Sequence, residues 1–328
     1  MSSHSPSSRR HQVRDTWYRE LLRQAAHLPP MRTAIVAPLD ANALGGAVEA
    51  AEAGLIVPVL IGPQNTILTV AAAHGLDLTP YAIVPAGDDS SSAAARAVEM
   101  ARTGEVHAVM KGSLRTDVLM HAVVAPHIGL VAGLDRRMSH VFVLHVPRYP
   151  RPLLLTDAVV NIAPDLAVKR DIVQNAIDLA HALGIAKPRV AILSAAETVN
   201  PKLPSSLEAA ALSKMADRGQ ITGGIVDGPL AFDDAVSRRA AAGKRIHSAV
   251  AGRADIVVVP DLDAGNMLAK QLEYLSGARL AGIVVGGKVP IILTSRADDA
   301  LAHVASCALA QLLVAYASTP HDDTQAVR

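Results

Sequence analysis

The stretch 287-GKVPIILTSRADDALAHVAS-306 changes character halfway along its length. Its first half contains VPIILT, a short run of apolar and β-branched residues that is typical of a buried strand. Its second half is rich in alanine, which favours a helix. Between them lie a hydroxyl, a guanidinium and two carboxylates, from Ser295, Arg296, Asp298 and Asp299. This order predicts one strand-to-helix unit of an α/β fold.

The same alternation of short apolar runs and helical patterns extends through most of the chain. Most of the runs are rich in Val and Ile on both faces, as in parallel strands that helices cover on both sides. The predicted strands are 33–38, 55–62, 82–86, 107–112, 139–146, 152–160, 189–195, 223–228, 255–261, 281–287 and 290–294. The predicted helices are 43–54, 91–103, 115–125, 165–183, 205–218, 263–276 and 297–317. The sequence therefore predicts an α/β fold with largely parallel sheets.

Eleven strands are many for one open sheet, so we expect two α/β/α domains with a cleft between them. The proline-rich segment 147-PRYPRP-152 marks one candidate boundary. Because no long flexible linker follows it, the second domain is expected to be inserted into the first. The first domain is predicted to comprise 1–146 and 286–328 and the second 147–285, with disorder expected at 1–12 and 319–328.

Composition excludes several functional classes. The chain has 328 residues, a net charge of +1 and only 2% aromatic residues, so neither a basic nor a stacking surface for nucleic acid is expected. No segment has the length and hydropathy of a membrane span, and the polar N-terminus lacks the apolar core of a signal peptide. The single cysteine, Cys307, excludes an internal disulfide and is expected to be a small core residue. These features predict a cytoplasmic protein that does not contact membranes.

Polar residues follow many of the predicted strands, and ligands of open α/β sheets gather at that edge. Lys111-Gly112-Ser113 follows one run, and Asp261, Gly265 and Asn266 follow another. Lys-Gly-Ser at such a junction suits a phosphate, although Lys111 could also be a solvated strand end. For Asp261, capping of the next helix is the default interpretation.

The polar turn at 295–299 also has two interpretations. Ser295 and Asp298 have the spacing of a capping box, and carboxylates in a first helical turn suit the helix dipole. Arg296 is harder to explain, since a cation at a helix N-terminus is unfavourable. A shared anion, bound by Arg296 and the free backbone N–H groups, would account for it. No metal-ligand spacing, G-x-G-x-x-G or Walker A sequence supports a metal or a nucleotide cofactor.

Longer segments of the sequence resemble the phosphate acetyltransferase/phosphate butyryltransferase family. The resemblance is greatest to the butyryltransferase-like branch, which includes the domain found fused to enoyl-CoA hydratase. They cover residues from about 32 to 318 in order. They include NALGGAVEAAEAGLIVPVLIGP at 42–63, VMKGSLRTDVL at 109–119, RRMSHVFVLHVPRYPRPLLLTDAVVNIAPDL at 136–166, DIVVVPDLDAGNMLAKQL at 255–272 and VPIILTSRADD at 289–299.

The resemblance implies reversible transfer of an acetyl- or butyryl-type group between coenzyme A and inorganic phosphate. It implies a ternary complex without a protein nucleophile, with CoA as a substrate and no cofactor or metal. It also implies a homodimer and a fold like that of the isocitrate and isopropylmalate dehydrogenases. The residues implied as catalytic are Ser295, Arg296, Asp298 and Asp299; those implied as substrate-binding are Lys111, Gly112, Ser113, Arg136, Asp261, Gly265 and Asn266.

Two departures from the family pattern bear on this assignment. Acetyltransferases carry an Asp seven residues after the Ser, proposed as the thiol base, where this chain has Ala302. Asp298 or Asp299 is the nearest replacement. Relatives also read G-L-R-T before the RRxSHV element, where this chain has GLVAGLD and no such Arg. Two alternatives therefore stay open: a metal- and NAD(P)-dependent 2-hydroxy acid dehydrogenase of related fold, and a non-catalytic acyl-CoA-binding subunit.

Overall fold

The structure is a computed structural model that describes residues 17–131, 136–293 and 300–319, and only the backbone at Ala300. It is mixed α/β with largely parallel β-sheet. The strands are β1 Met31–Val36, β2 Ile56–Gly62, β3 Ala82–Pro85, β4 Ala108–Lys111, β5 Ser139–His145, β6 Leu153–Thr156, β7 Arg189–Leu193, β8 Ile225–Leu230, β9 Ile256–Val258, β10 Arg279–Val285 and β11 Ile291–Ile292.

The helices that lie wholly in the described residues are α1 Ala41–Glu52, α2 Gln64–His74, α3 Ser90–Thr103, α4 Thr116–Val123, α5 Leu166–Ala182, α6 Pro204–Asp217, α7 Phe232–Val236, α8 Arg238–Gly243, α9 Leu262–Tyr274 and α10 Ala300–Ala317. Residues 17–25 are also helical. The chain divides into two compact units, one containing Tyr18–Arg136 with Ala281–Ser318 and the other containing Arg137–Leu280. The predicted domain boundaries at 146/147 and 285/286 stay a prediction.

The unit of Tyr18–Arg136 and Ala281–Ser318 has the strand order β3-β2-β1-β4-β11-β10. Its first five strands pair in parallel, and β10 pairs with β11 in antiparallel fashion. Helices α1, α2 and α3 connect the parallel strands β1 to β4 in succession, which is the arrangement that buries both faces of such a sheet. The buried, apolar strands β1 and β4 bring their carboxyl ends side by side, with Val36 in register with Lys111.

The unit of Arg137–Leu280 has the strand order β5-β6-β9-β7-β8. Strands β6, β9, β7 and β8 are parallel, and β5 runs antiparallel to β6. The segment 147-PRYPRP-152 is the connection between these two antiparallel strands. The carboxyl ends of β6 and β9 lie next to each other, because Thr156 is in register with Val258.

All eleven predicted strands are confirmed in position, with ends that differ by a few residues. The run predicted as a strand at 152–160 ends at Thr156, because the Asp157 carboxylate organises the following turn. The seven predicted helices are also confirmed over their described residues, and α2, α7 and α8 were not predicted. The expected disorder at 1–12 and nearly all of that at 319–328 fall outside the described residues.

Candidate active site

The segment Lys111-Gly112-Ser113 lies where β4 ends and is bonded to the end of β1. The backbone N–H of Gly112 donates to the oxygen of Val36 at 2.9 Å, and that of Ser113 donates to the oxygen of Ala37 at 2.8 Å. A Cβ added to Gly112 would lie 2.3 Å from the Val36 oxygen, so no side chain fits. Close backbone approach therefore requires a glycine at position 112.

The side chains of this segment stabilise the same junction. The Lys111 ammonium is buried and donates to the oxygens of Gly112 and Leu114 at 3.2 and 3.4 Å. The Ser113 hydroxyl accepts a hydrogen bond from the backbone N–H of Leu39 at 2.8 Å. A buried cation thus lies at the carboxyl edge of the strands, where an anionic ligand of an α/β sheet is expected.

Asp157 directly follows the last residue of β6, as Gly112 follows the last residue of β4. Its carboxylate accepts hydrogen bonds from the backbone N–H groups of Val159, Val160 and Asn161, and from the Asn161 amide at 2.7 Å. The same amide donates to the oxygen of Met138. Burial raises the pKa of Asp157 above its ordinary value, although the bonded N–H groups oppose that shift. This network fixes the turn between β6 and the loop that follows it.

His140 lies on β5, one ladder position beyond the pair of Val141 and Thr156. It is fully buried, and neither ring nitrogen has a hydrogen-bond partner among the described residues. Its ring meets the Phe142 ring edge-on at 4.3 Å between centroids. Burial lowers the pKa of His140 to about 3, so the ring is neutral at physiological pH.

The predicted residues of the PDLDAGN stretch form the start of α9. Asp261 is its N-cap and accepts a hydrogen bond from the backbone N–H of Ala264 at 2.9 Å, which confirms the capping interpretation. Gly265 packs against the loop after β6: an added Cβ would lie 3.0 Å from the Cα of Ala158. Asn266 is exposed on the first turns of the same helix. The structure thus brings this helix start beside the loop that Asp157 organises.

Arg136 and its neighbours precede β5. The side chain of Arg136 is exposed. The backbone N–H of Arg137 donates to the Asp171 carboxylate at 3.0 Å, and the Asn175 amide donates to the Arg137 oxygen and the Ser139 hydroxyl. Two polar residues on the buried face of α5 therefore fix the backbone entering β5.

The four residues predicted to be catalytic, Ser295, Arg296, Asp298 and Asp299, lie outside the described residues. Ala302, at the position where acetyltransferases carry Asp, lies in the first turns of α10. Cys307 is fully buried in that helix, as predicted, and burial raises the pKa of its thiol to about 12. Within 17–131, 136–293 and 300–319, no cluster of three His, Cys, Asp or Glu side chains could hold a metal ion.

The predicted substrate-binding residues fall into two groups. Lys111, Gly112 and Ser113 share one junction in the first unit, and Asp261, Gly265 and Asn266 share the start of α9 in the other. Asp157 and Asn161 were not predicted as site residues. The sequence feature that could have indicated them is an Asp directly after a strand with an Asn four residues later, which is compatible with a carboxylate that closes a turn.

The Phosphate acetyl/butaryl transferase family model matches residues 86–311, and the chain belongs to this family. A phosphate acetyltransferase of Rhizobium meliloti is 55% identical over 298 residues, which cover 91% of this chain and 93% of the relative. A phosphate butyryltransferase of Clostridium acetobutylicum is 39% identical over 296 residues, 90% of this chain and 97% of the relative. The predicted family is thereby confirmed.

Solved structures agree on the fold. A branched-chain phosphotransacylase from Enterococcus faecalis V583 superposes with a TM-score of 0.75 at 31% identity, over 87% of this chain and 99% of that one. A 4-hydroxythreonine-4-phosphate dehydrogenase from Klebsiella pneumoniae has a TM-score of 0.51 at 14% identity, over 87% of this chain and 99% of that one. The second likeness concerns the fold alone. No helix in the described ranges is long and apolar enough to cross a membrane.

Proposed function

We propose that this protein is a phosphate acyltransferase, which converts a short acyl-CoA and inorganic phosphate into an acyl phosphate and free CoA, and the reverse. The observation that carries the proposal is the 55% identity to a phosphate acetyltransferase over 91% of this chain. Identity of 39% to a phosphate butyryltransferase over a similar span supports an acetyl- or butyryl-type acyl group.

The chemistry needs no group of the protein to bond to the substrate. A phosphate oxygen attacks the thioester carbonyl, the C–O bond forms, and the carbonyl oxygen becomes an oxyanion. The C–S bond then breaks, and the CoA thiolate takes up the proton that hydrogen phosphate brought. Holding the two anionic substrates in contact and stabilising the oxyanion supplies most of the acceleration.

Cys307 is the only thiol of the chain, and its environment supports this direct transfer. The side chain is fully buried, and its pKa of about 12 keeps it protonated at neutral pH. Because the thiolate is the reactive form of cysteine, Cys307 is unsuited to carry the acyl group. We assign no cofactor and no metal to the reaction, with CoA acting as a substrate.

For Arg296 and Ser295 we propose the roles that the family resemblance implies. Arg296 holds phosphate or the developing charge on the carbonyl oxygen, and Ser295 orients the thiol or the carbonyl. The thiol base is assigned to Asp298 or Asp299, since Ala302 has no titratable group. Asp298 and Asp299 both precede Ala302 closely in the sequence.

We further propose that the two groups at the strand ends contact the substrates. A buried ammonium at Lys111 and the hydroxyl of Ser113 favour an anion beside the end of β4. The start of α9, where Gly265 packs against the loop after β6, presents the exposed amide of Asn266 to the second substrate. Arg136, whose side chain is exposed, is proposed to bind a phosphate group of CoA.

We propose a homodimer in the cytoplasm as the working form, with the site formed in a cleft between two α/β/α domains. These parts of the proposal rest on the family resemblance. Sedimentation equilibrium tests the dimer independently of activity, and a monomeric mass at micromolar concentration would exclude it.

The function is tested by mixing purified protein with a panel of acyl-CoAs and following free thiol with a chromogenic reagent. Release that requires phosphate and persists with a chelator supports the acyltransferase and opposes the metal-dependent dehydrogenase. Arg296→Ala is expected to lose at least a hundredfold in kcat/KM, or about 2.7 kcal/mol of transition-state stabilisation. Tight CoA binding without any turnover would instead support the non-catalytic subunit.

A further inference from the structure

A cavity lies in the unit of Arg137–Leu280, at the opposite end of the strands from Asp157. Its volume is about 560 Å³, within the range of small-molecule sites. Leu153, the first residue of β6, and Val146, just after β5, line it. Asp157 follows the carboxyl end of β6, so a strand of four residues, roughly 13 Å, separates the two places.

The charged residues that line this cavity are all cationic. Arg148, Arg151 and Arg238 line it, and no acidic residue is among the described residues that do. Arg151 is committed to an ion pair with Asp255, at 3.0 Å. The side chains of Arg148 and Arg238 are exposed and make no hydrogen bond or ion pair with any described residue. Two exposed guanidiniums without a described partner, each a planar fork that matches phosphate or carboxylate, therefore border one apolar recess.

The floor of the cavity is apolar and partly aromatic. Leu153 and Leu272 are buried core residues, and the rings of Tyr149 and Phe232 pack on the same hydrophobic cluster. The Tyr149 hydroxyl donates to the oxygen of Ala254 at 2.5 Å, which holds the ring in place. A flat apolar body can lie against such rings, and guanidiniums stack on flat rings as well.

The backbone beside one guanidinium is fixed before any ligand arrives. Gly252 has a φ of 75°, in the left-handed region that favours glycine. An added Cβ would lie 2.5 Å from the Cα of Arg238, so the two backbones are in direct contact. Fixing the backbone in advance lowers the entropy that binding costs.

We propose that this cavity, between Arg148, Arg238 and the rings of Tyr149 and Phe232, binds an organic phosphate with a flat aromatic ring. The site is separate from the acyl-transfer site, and the inference does not rest on the proposed reaction. A larger groove between α3 and α4 is less defined chemically, because Arg96 pairs with Glu99 there and Asp117 with Arg115.

The test is calorimetric titration with adenosine diphosphate as the probe, on wild type and on Arg148→Gln/Arg238→Gln. The matched control is Arg218→Gln/Arg239→Gln, which removes the same charge from exposed arginines outside the cavity. The proposal expects measurable binding to wild type and to the control, with at least tenfold weaker binding to Arg148→Gln/Arg238→Gln. Thiol release in the acyl-transfer assay is expected to be equal in all three proteins.

Equal affinity in the three proteins, or no binding to wild type, would overturn the proposal. Inorganic phosphate is titrated in parallel and is expected to bind at least tenfold more weakly than the diphosphate. Equal affinity for adenosine diphosphate and inorganic phosphate would mean that the cavity does not recognise the ring, and it would overturn the proposed ligand class. A change of oligomeric state in Arg148→Gln/Arg238→Gln, without any binding to wild type, would assign the surface to a subunit contact instead.

Discussion

Replacing His140 with leucine is expected to remove part of the protein's sensitivity to acid. The imidazole is fully buried without a described hydrogen-bond partner, and burial lowers its pKa to about 3 from an ordinary 6.5. Between these two values the unfolded chain binds one proton more than the folded one. The free energy of unfolding therefore falls as the pH falls through this window and is fully retained above it.

The size of the effect follows from the width of the window that is crossed. Each pH unit within it costs about 1.4 kcal/mol of stability. Going from pH 7.5 to pH 5.0 crosses roughly 1.5 units below the ordinary pKa of histidine, so His140 alone should cost about 2 kcal/mol. The raised pKa of Asp157 acts in the opposite direction, but it is present in both proteins and cancels from their difference.

The assay is urea unfolding followed by circular dichroism at both pH values. His140→Leu is expected to lie within about 1 kcal/mol of wild type at pH 7.5, since it removes two unpaired nitrogens without leaving a large cavity. It should then lose about 2 kcal/mol less than wild type at pH 5.0. His74→Leu, on the exposed face of α2, is the matched control for the loss of a histidine. An equal loss in wild type and His140→Leu would refute the reasoning.

Three further outcomes are expected. Gly265→Ala should lower stability in urea by about 1–3 kcal/mol and reduce turnover, whereas Gly45→Ala, where an added Cβ meets nothing within 4 Å, should be neutral or stabilising. An unchanged urea midpoint for Gly265→Ala would contradict the close packing of Gly265 against Ala158. Ser113→Ala should cost about 0.5–1 kcal/mol in the same assay, because the Leu39 N–H then keeps only the oxygen of Ala37 as its acceptor. Cys307 should resist a thiol reagent in the native protein and react once per chain after denaturation, and rapid native labelling would oppose its burial.

The positions of the strands could be predicted because each is a short apolar run next to a helical pattern. Their directions were not predicted, although the short connection between the strands predicted at 139–146 and 152–160 leaves no room for a parallel crossover and indicates the antiparallel pair of β5 and β6. Helix α2 escaped prediction because Pro63 at its N-cap makes no side-chain bond and only Ile67 and Ala71 are buried. Gly75, in the left-handed conformation just after the helix, was the remaining signal.

Two positions of the candidate site have a steric reason for their residue type, while their part in substrate binding stays a prediction. Gly112 and Gly265 were singled out from their positions after strands, and in both cases the backbone or a neighbour leaves no room for a Cβ. The role of Asp157 was not, because its burial and its bonds to three successive N–H groups depend on how the loop folds. Spacing alone does not distinguish such a carboxylate from an exposed turn residue.

The most direct test of the account is to identify what forms when the protein, acetyl-CoA or butyryl-CoA, and phosphate are mixed. Phosphorus NMR of the quenched mixture is expected to show one acyl phosphate for each free CoA thiol, and neither product when phosphate is left out. Free thiol accompanied by the carboxylic acid, with no acyl phosphate resonance, would mean that water is the acceptor and would contradict acyl transfer to phosphate.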